Sequence, residues 1–308
     1  MKRRSSRILS AKAADAARDP ILTRENGQSA APGLYVIATP IGNARDITLR
    51  ALDVFRGCDL IVAEDTRVTA KLLAIHGVSR PLSAYNDHNA GRERPRILAR
   101  LREGSRIALV SDAGTPLISD PGYKLVTAAL AEGLPVHSVP GASAILAALT
   151  LAGLPTDRFF FAGFLPFRHG ERRRMLEALR QVDSTLVVFE SPQRLAESLN
   201  DMQEILGSRK ASIGRELTKF HEEVRRGDLA TLARDYASKS SPKGEITIVI
   251  GPPPPPEPDF AKAEALLKMA LPLMPLRAAV DMLAEALELP RNGLYDRALA
   301  IKSADEDS

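Results

Sequence analysis

The sequence predicts a two-part α/β protein followed by a small helical appendage, and three observations carry that prediction. From Leu34 onward, short and nearly continuous apolar runs alternate with segments of helical periodicity, as in parallel strands whose faces are covered by helices. An apolar helix over 142–152 stops at Gly153-Leu154-Pro155, and a second series of strands and helices starts beyond it. A run from Pro252 to Pro256 then ends that series ahead of three amphipathic segments. The length of 308 residues suits two domains of about 100–150 residues with an addition.

Residues 1–32 hold seven Lys/Arg against three acidic side chains and lack hydrophobic periodicity, so a disordered basic tail is expected there. Arg3-Arg4 and the Arg/Ser-rich start suggest a targeting signal, but no apolar segment follows, which favours a plain extension. In an N-terminal α/β domain over 33–153, strands are expected at Leu34–Ala38, Leu60–Ala63, Ile107–Val110 and Val136–Val139, with a weaker one at Leu82–Tyr85. Helices follow near 47–56, 66–76, 92–103, 122–132 and 142–152. A second α/β or α+β domain over 154–251 reads as strands at Phe159–Ala162, Thr185–Phe189, Ala211–Gly214 and Ile246–Ile250, with helices at 171–182, 193–206 and near 228–237. A Pro-rich linker covers 252–258. In the appendage, 259–308, helices are expected over 261–270, 276–287 and 291–301. The last two resemble a helix-turn-helix pair with Asn292 as N-cap. Residues 276–302 carry four basic and four acidic side chains, which favours a packing role over nucleic-acid contact.

Composition narrows the function. The formal charge of +4 comes wholly from the first 32 residues, so any polyanion site must be a local patch. One cysteine, Cys58, excludes an internal disulfide framework and a cysteine zinc site, and it favours a reducing, cytoplasmic setting. The longest uncharged run, 133–156, is interrupted by Pro135, Pro140, Pro155 and His137, so no membrane span is expected. The five histidines show no short ligand spacing, and no metal is expected.

Ligands of open α/β sheets bind beyond the carboxyl ends of strands, where this chain is rich in polar, Gly and Pro residues. The ends are Thr39–Asn43, Glu64–Arg67, Asn86–Asn89, Ser111–Pro116 running on to Asp120-Pro121-Gly122, and Pro140–Ala144. Gly114 and Gly122 permit left-handed backbone and close ligand approach, while Pro116 and Pro121 fix the path. The loop is neither a Walker P-loop nor a Gly-x-Gly-x-x-Gly fingerprint, and no Gly-x-Ser-x-Gly elbow occurs. Asp65, Asp87 and His88 are candidate acid/base groups, though each also suits a helix cap or loop hydrogen bond. Two arginine clusters, at 92–106 and 168–180, are either solvated helix faces or phosphate contacts. The second, with Arg168 and Arg173, follows the aromatic loop Phe164–Phe167 and suits RNA.

Taken together, the motifs resemble one family. Thr39-Pro40-Ile41-Gly42-Asn43 with Asp46-Ile47-Thr48, Ala63–Arg67, Ser111–Pro116 with Asp120-Pro121-Gly122, and Pro140-Gly141 are similar to the small-subunit ribosomal RNA (cytidine-2′-O)-methyltransferases, within the tetrapyrrole methylase superfamily. Phe189-Glu190-Ser191-Pro192 with Arg194, Arg215–Lys219 and Lys243-Gly244-Glu245 extend the resemblance along 33–251, and the terminal helices take it to about 302. The chain departs from it at Ala90-Gly91, where the family often has an acidic residue, and in its long tail. The resemblance implies a homodimer with S-adenosyl-L-methionine in a cleft between two α/β domains, methylating a cytidine ribose 2′-OH in the decoding region of 16S rRNA or the small ribosomal subunit. It implies cofactor contacts from Ser111, Asp112, Ala113, Gly114, Ile118, Ala142, Ser143, Phe189, Glu190 and Leu217, and places Arg67, Arg194 and Arg215 toward RNA or the sulfonium side. DNA and membrane partners are not expected. Alternatives are methylation of a tetrapyrrole or another RNA, or a nucleotide-sensing regulator that binds DNA through the terminal helices.

Overall fold

The computed structural model describes residues 31–238, 241–254 and 260–306. Residues 1–30 of the tail expected over 1–32, and 255–258 of the linker expected over 252–258, therefore lie outside the described residues. The chain divides into two compact units, one ending at Pro253 and the other starting at Pro254.

In the larger unit, β1 (Gly33–Ile37), β2 (Leu60–Ala63), β3 (Leu82–Ala84), β4 (Arg106–Val110) and β5 (Val136–Val139) form a parallel sheet in the order β3-β2-β4-β1-β5. The central strands are buried on both faces, which is why they read as unbroken apolar runs. Helices α1 (Leu49–Gly57) and α2 (Thr66–Ile75) start at the side-chain caps Thr48 and Asp65. Phe55, Ile61, Leu73 and their neighbours form the core on one face. Helices α3 (Ala90–Arg102) and α4 (Tyr123–Ala131) supply Ile97, Leu101, Leu125 and Ala129 to the core on the other.

Helix α5 (Ala144–Ala152) has no charged side chain and ends at Gly153 in the left-handed conformation. Apart from Leu146 and Thr150, which are exposed, its side chains are buried or half-buried, as a predominantly apolar helix requires. Its Ile145, Ala148, Leu149 and Ala152 pack with Val187, Leu217 and Val249 of the second sheet and with Ile41 of the first half. This helix therefore brings the strand ends of the first sheet up to the second.

The second sheet runs β6-β7-β10-β8-β9, from β6 (Phe159–Phe164), β7 (Thr185–Glu190), β8 (Lys210–Arg215), β9 (Glu223–Asp228) and β10 (Ile246–Ile250). Only β6 and β7 are parallel; every other pairing is antiparallel. Strand β9 was not expected. Its sequence, Glu-Val-Arg-Arg-Gly-Asp, has one apolar side chain and is held by six-residue pairing with β8 at a sheet edge. Charged residues suit an edge because they discourage further strand addition. Helices α6 (His169–Leu179), α7 (Leu195–Leu206) and α8 (Leu229–Ala237) cover the face opposite α5.

The smaller unit consists of α9 (Ala261–Ala270), α10 (Leu276–Leu287) and α11 (Arg291–Glu306) around Leu267, Val280, Leu283 and Leu294. Helix α11 begins at Arg291, so Asn292 lies inside its first turn and is not the expected N-cap. Among the described residues, no helix is long and apolar enough to cross a membrane.

Candidate active site

The connections from β1 and β4 leave in opposite directions across the sheet, so the switch point lies between these adjacent strands. Thr39 and Gly114 bridge it: the Thr39 N–H donates to the Gly114 carbonyl at 2.8 Å and the Gly114 N–H to the Thr39 carbonyl at 3.0 Å. The loop after β4 is then shaped by residues with positive φ at Gly114 (74°), Leu117 (75°), Ser119 (67°) and Gly122 (127°). The two glycines match the expectation from sequence. Leu117 and Ser119 cost about 1–3 kcal/mol each in that conformation, a strain that concentrates where a loop must hold a ligand.

This loop forms one wall of a cavity of about 450 Å³. The first half lines it with Glu64, Asp112–Thr115, Ile118–Asp120 and Ser143–Ile145. Phe164, Phe189–Pro192 and Gly244–Thr247 face them from the second sheet. A neighbouring cavity of about 250 Å³ lies against α2, lined by Thr39–Gly42, Ala44, Val68, Thr69, Leu72, Ile75 and Ser111, with Lys219 at its edge. The two share Ile41, Asp112, Ala113 and Glu245.

The larger cavity concentrates negative charge. Burial, then Asp112 and Asp120, push the Glu64 carboxyl above its ordinary value. Burial likewise raises Asp120, although a hydrogen bond from Ser111 opposes it. The neighbouring charges acting on Glu64 are Asp112, Asp120 and Asp87, all negative. Asp112 also ties two strand ends together, its Oδ1 accepting from the Asp65 N–H at 2.9 Å. A wall carrying the carboxyls of Glu64, Asp112 and Asp120 opposite the aromatic rings of Phe164 and Phe189 suits an organic cation with a flat apolar part.

The expected cofactor residues separate into two groups. Asp112, Ala113, Gly114, Ile118, Ser143, Phe189 and Glu190 line the larger cavity, and Ser111 lines the smaller. Ala142 and Leu217 line neither. The Ala142 carbonyl accepts from Thr115 Oγ1 at 3.2 Å, and Leu217 is buried against Ile41 and Val187. The Glu190 carboxylate is fully engaged, accepting from Ser198 Oγ and the Ser191 N–H and pairing with Arg194.

None of the expected acid/base residues lines either cavity. Asp65 caps α2 through the Arg67 N–H, and the Arg67 guanidinium holds its carboxyl down at about 2. Asp87 and His88 are exposed. Glu64 and Asp120 were missed as site residues, although Glu64 directly ends an apolar strand and so carried a signal. Of the expected RNA contacts, Arg67 and Arg168 are exposed, each paired with one carboxylate. The other three are committed within the fold. Arg173 pairs with Asp201 and Glu204, Arg194 binds Glu190 and the Leu165 carbonyl, and Arg215 binds Glu223 and the Lys243 carbonyl. In the 168–180 cluster Arg172 is buried against Asp201 at 2.6 Å. Cys58 is buried too, which pushes its thiol up to about 11 and makes it inert.

A crevice at a parallel-sheet switch point, closed by a mixed sheet, defines the class. The chain belongs to the tetrapyrrole (corrin/porphyrin) methylases, a family matching residues 33–233, and is a methyltransferase. Residues 257–302 match the RsmI C-terminal HTH domain. Within the family it is 50% identical over 272 residues to Ribosomal RNA small subunit methyltransferase I of Mesorhizobium japonicum, covering 88% of this chain and 92% of that one. The protein of the same name in Erythrobacter litoralis is also 50% identical over 272 residues, at 88% and 96% coverage. Among solved structures, diphthine synthase aligns with a TM-score of 0.55 at 17% identity, covering 71% of this chain and 89% of that one. Uroporphyrin-III-C-methyltransferase of Thermus thermophilus aligns at 0.52 with 20% identity, covering 71% and 94%. These last two share the fold.

Proposed function

We propose that the chain transfers a methyl group from S-adenosyl-L-methionine to the ribose 2′-OH of a cytidine in the decoding region of small-subunit rRNA. The observation that carries this reading is the carboxylate-walled cavity at the switch point, in a chain half identical to rRNA small subunit methyltransferases. The cavity suits the cofactor in its chemistry: Asp112, Ala113 and Gly114 offer backbone groups, Ile118, Phe164 and Phe189 an apolar bed, and Glu64, Asp112 and Asp120 negative charge. When bound, S-adenosyl-L-methionine supplies an electrophilic methyl on a sulfonium.

A ribose hydroxyl is a poor nucleophile until its proton is accepted, and a placed base contributes about 10²–10⁴. Asp65 is too acidic in its ion pair, and Asp87 and His88 stand outside the cavities. Glu64 is therefore the base in this reading, its basicity raised by burial and by Asp112 and Asp120. Holding both reactants in one crevice contributes further, up to about 7–11 kcal/mol for a well-aligned pair. Residues 33–153 and 154–251 act as the two domains of this site, with 259–308 as an appendage, in a cytoplasmic homodimer.

The test is acceptor choice. Labelled S-adenosyl-L-methionine is offered with small subunits from cells lacking this enzyme, with large subunits, and with uroporphyrinogen III. Label entering small subunits alone is expected. Label entering the tetrapyrrole would assign the chain to small-molecule chemistry.

A further inference from the structure

We propose that Phe220, at the tip of the turn between β8 and β9, stacks on an RNA base and holds the target nucleoside turned out into the crevice where the two cavities meet. This rests on the rRNA methyltransferase reading and adds the residue that presents the substrate. Phe220 is 97% exposed, the most exposed large apolar side chain among the described residues, and its ring lies edge to face with that of His221, centroids 5.0 Å apart.

The turn that carries it is braced. Glu216 and Thr218 adopt positive φ of 51° and 66°. The Lys219 ammonium donates to Glu216 and to Glu245 at 2.8 Å each, and the Thr218 N–H donates to the Glu222 carboxylate at 2.7 Å. The Asn43 N–H donates to Thr218 Oγ1 at 3.2 Å, tying the turn to the loop after β1. The fit there is close: a Cβ on Gly42 would lie 2.3 Å from Lys219 Cγ. An aromatic ring held out in water by a rigid support has no folding role to explain it.

Its position indicates the partner. Lys219, the preceding residue, borders the smaller cavity, which shares Asp112 and Glu245 with the larger one. Ala44 also lines it, and the adjacent Arg45 is exposed with no ion pair among the described residues. An aromatic face for a base, a cation for phosphate and an apolar pocket for a nucleoside are what extrusion of one nucleotide requires. Methylation of a ribose within folded rRNA needs its 2′-oxygen brought to the crevice, and a stacked ring in the vacated position would keep it there.

The experiment compares wild type with Phe220→Ala and Phe220→Trp. It reads methylation of small subunits, cofactor affinity, binding of a decoding-region RNA carrying 2-aminopurine beside the target, and mass in solution. Expected are a loss of kcat/KM of about 10-fold or more in Phe220→Ala, recovery in Phe220→Trp, unchanged cofactor affinity, and loss of the 2-aminopurine signal. Unaltered methylation and RNA affinity in Phe220→Ala would overturn the proposal. So would a fall in mass, which would make the ring a contact between subunits. If wild type fails to methylate small subunits, the functional reading fails, and the RNA-binding comparison still decides whether Phe220 stacks.

Discussion

Glu64 is where residue-scale chemistry and the acidity of the crevice meet. Replacing it with Gln should lower kcat by about 10²–10⁴ while leaving RNA binding intact, as single-turnover methylation would show. In wild type, turnover should rise with pH through an inflection above the usual carboxylate range, because burial and two nearby carboxylates raise Glu64. That limb should flatten in Glu64→Gln. The stability effect has the opposite sense. A carboxyl raised in the folded state favours folding below its ordinary value, and that contribution is lost as pH rises through the folded value. Glu64→Gln should therefore melt higher than wild type at neutral pH, the difference closing in acid. At this scale the sequence was only half legible. Gly114 and Gly122 announced left-handed backbone, but Leu117 and Ser119 adopt it without any such signal. Asp65 looked like a base because it stands at a strand end; the same position makes it a helix cap tied to Arg67.

Among elements, the arginine-rich helix α6 is the clearest case of pattern outrun by packing. Its charges suggested a solvated or RNA-facing surface, yet Arg172 is buried and bound by Asp201 of α7. Charge periodicity cannot reveal a partner 29 residues away in another helix. Removing one member of a buried pair leaves the other charge uncompensated. Arg172→Ala should thus cost about 3 kcal/mol in urea unfolding, at the lower end for such pairs because Arg173 still faces Asp201. RNA affinity should not change. Strand β9 was illegible for a related reason: its stability comes from pairing with β8, a long-range contact that its charged sequence does not advertise. By contrast α9 and α10 have the bounds expected, since amphipathic helices that pack on each other state their inner face in the sequence.

For the whole molecule, the fold was readable because its logic is repetitive. Parallel strands covered on both faces must be continuous apolar runs, and their carboxyl ends must share an edge. The apolar α5 packs its buried face on the second sheet, and the sequence, which allowed an α/β or α+β second unit, did not show that this layer would be a mixed sheet. Joining these halves sets strand-end loops against Phe164 and Phe189 and makes one crevice from two sheets. The central claim, that this crevice methylates a ribose of small-subunit rRNA, is tested most directly by mapping the product. Small subunits lacking the modification are treated with enzyme and S-adenosyl-L-methionine, and their rRNA is digested to nucleosides and sequenced for alkali-resistant linkages. A single 2′-O-methylcytidine in the decoding region is predicted. A methyl group on a base, or none on the RNA while the cofactor is bound, would contradict the account.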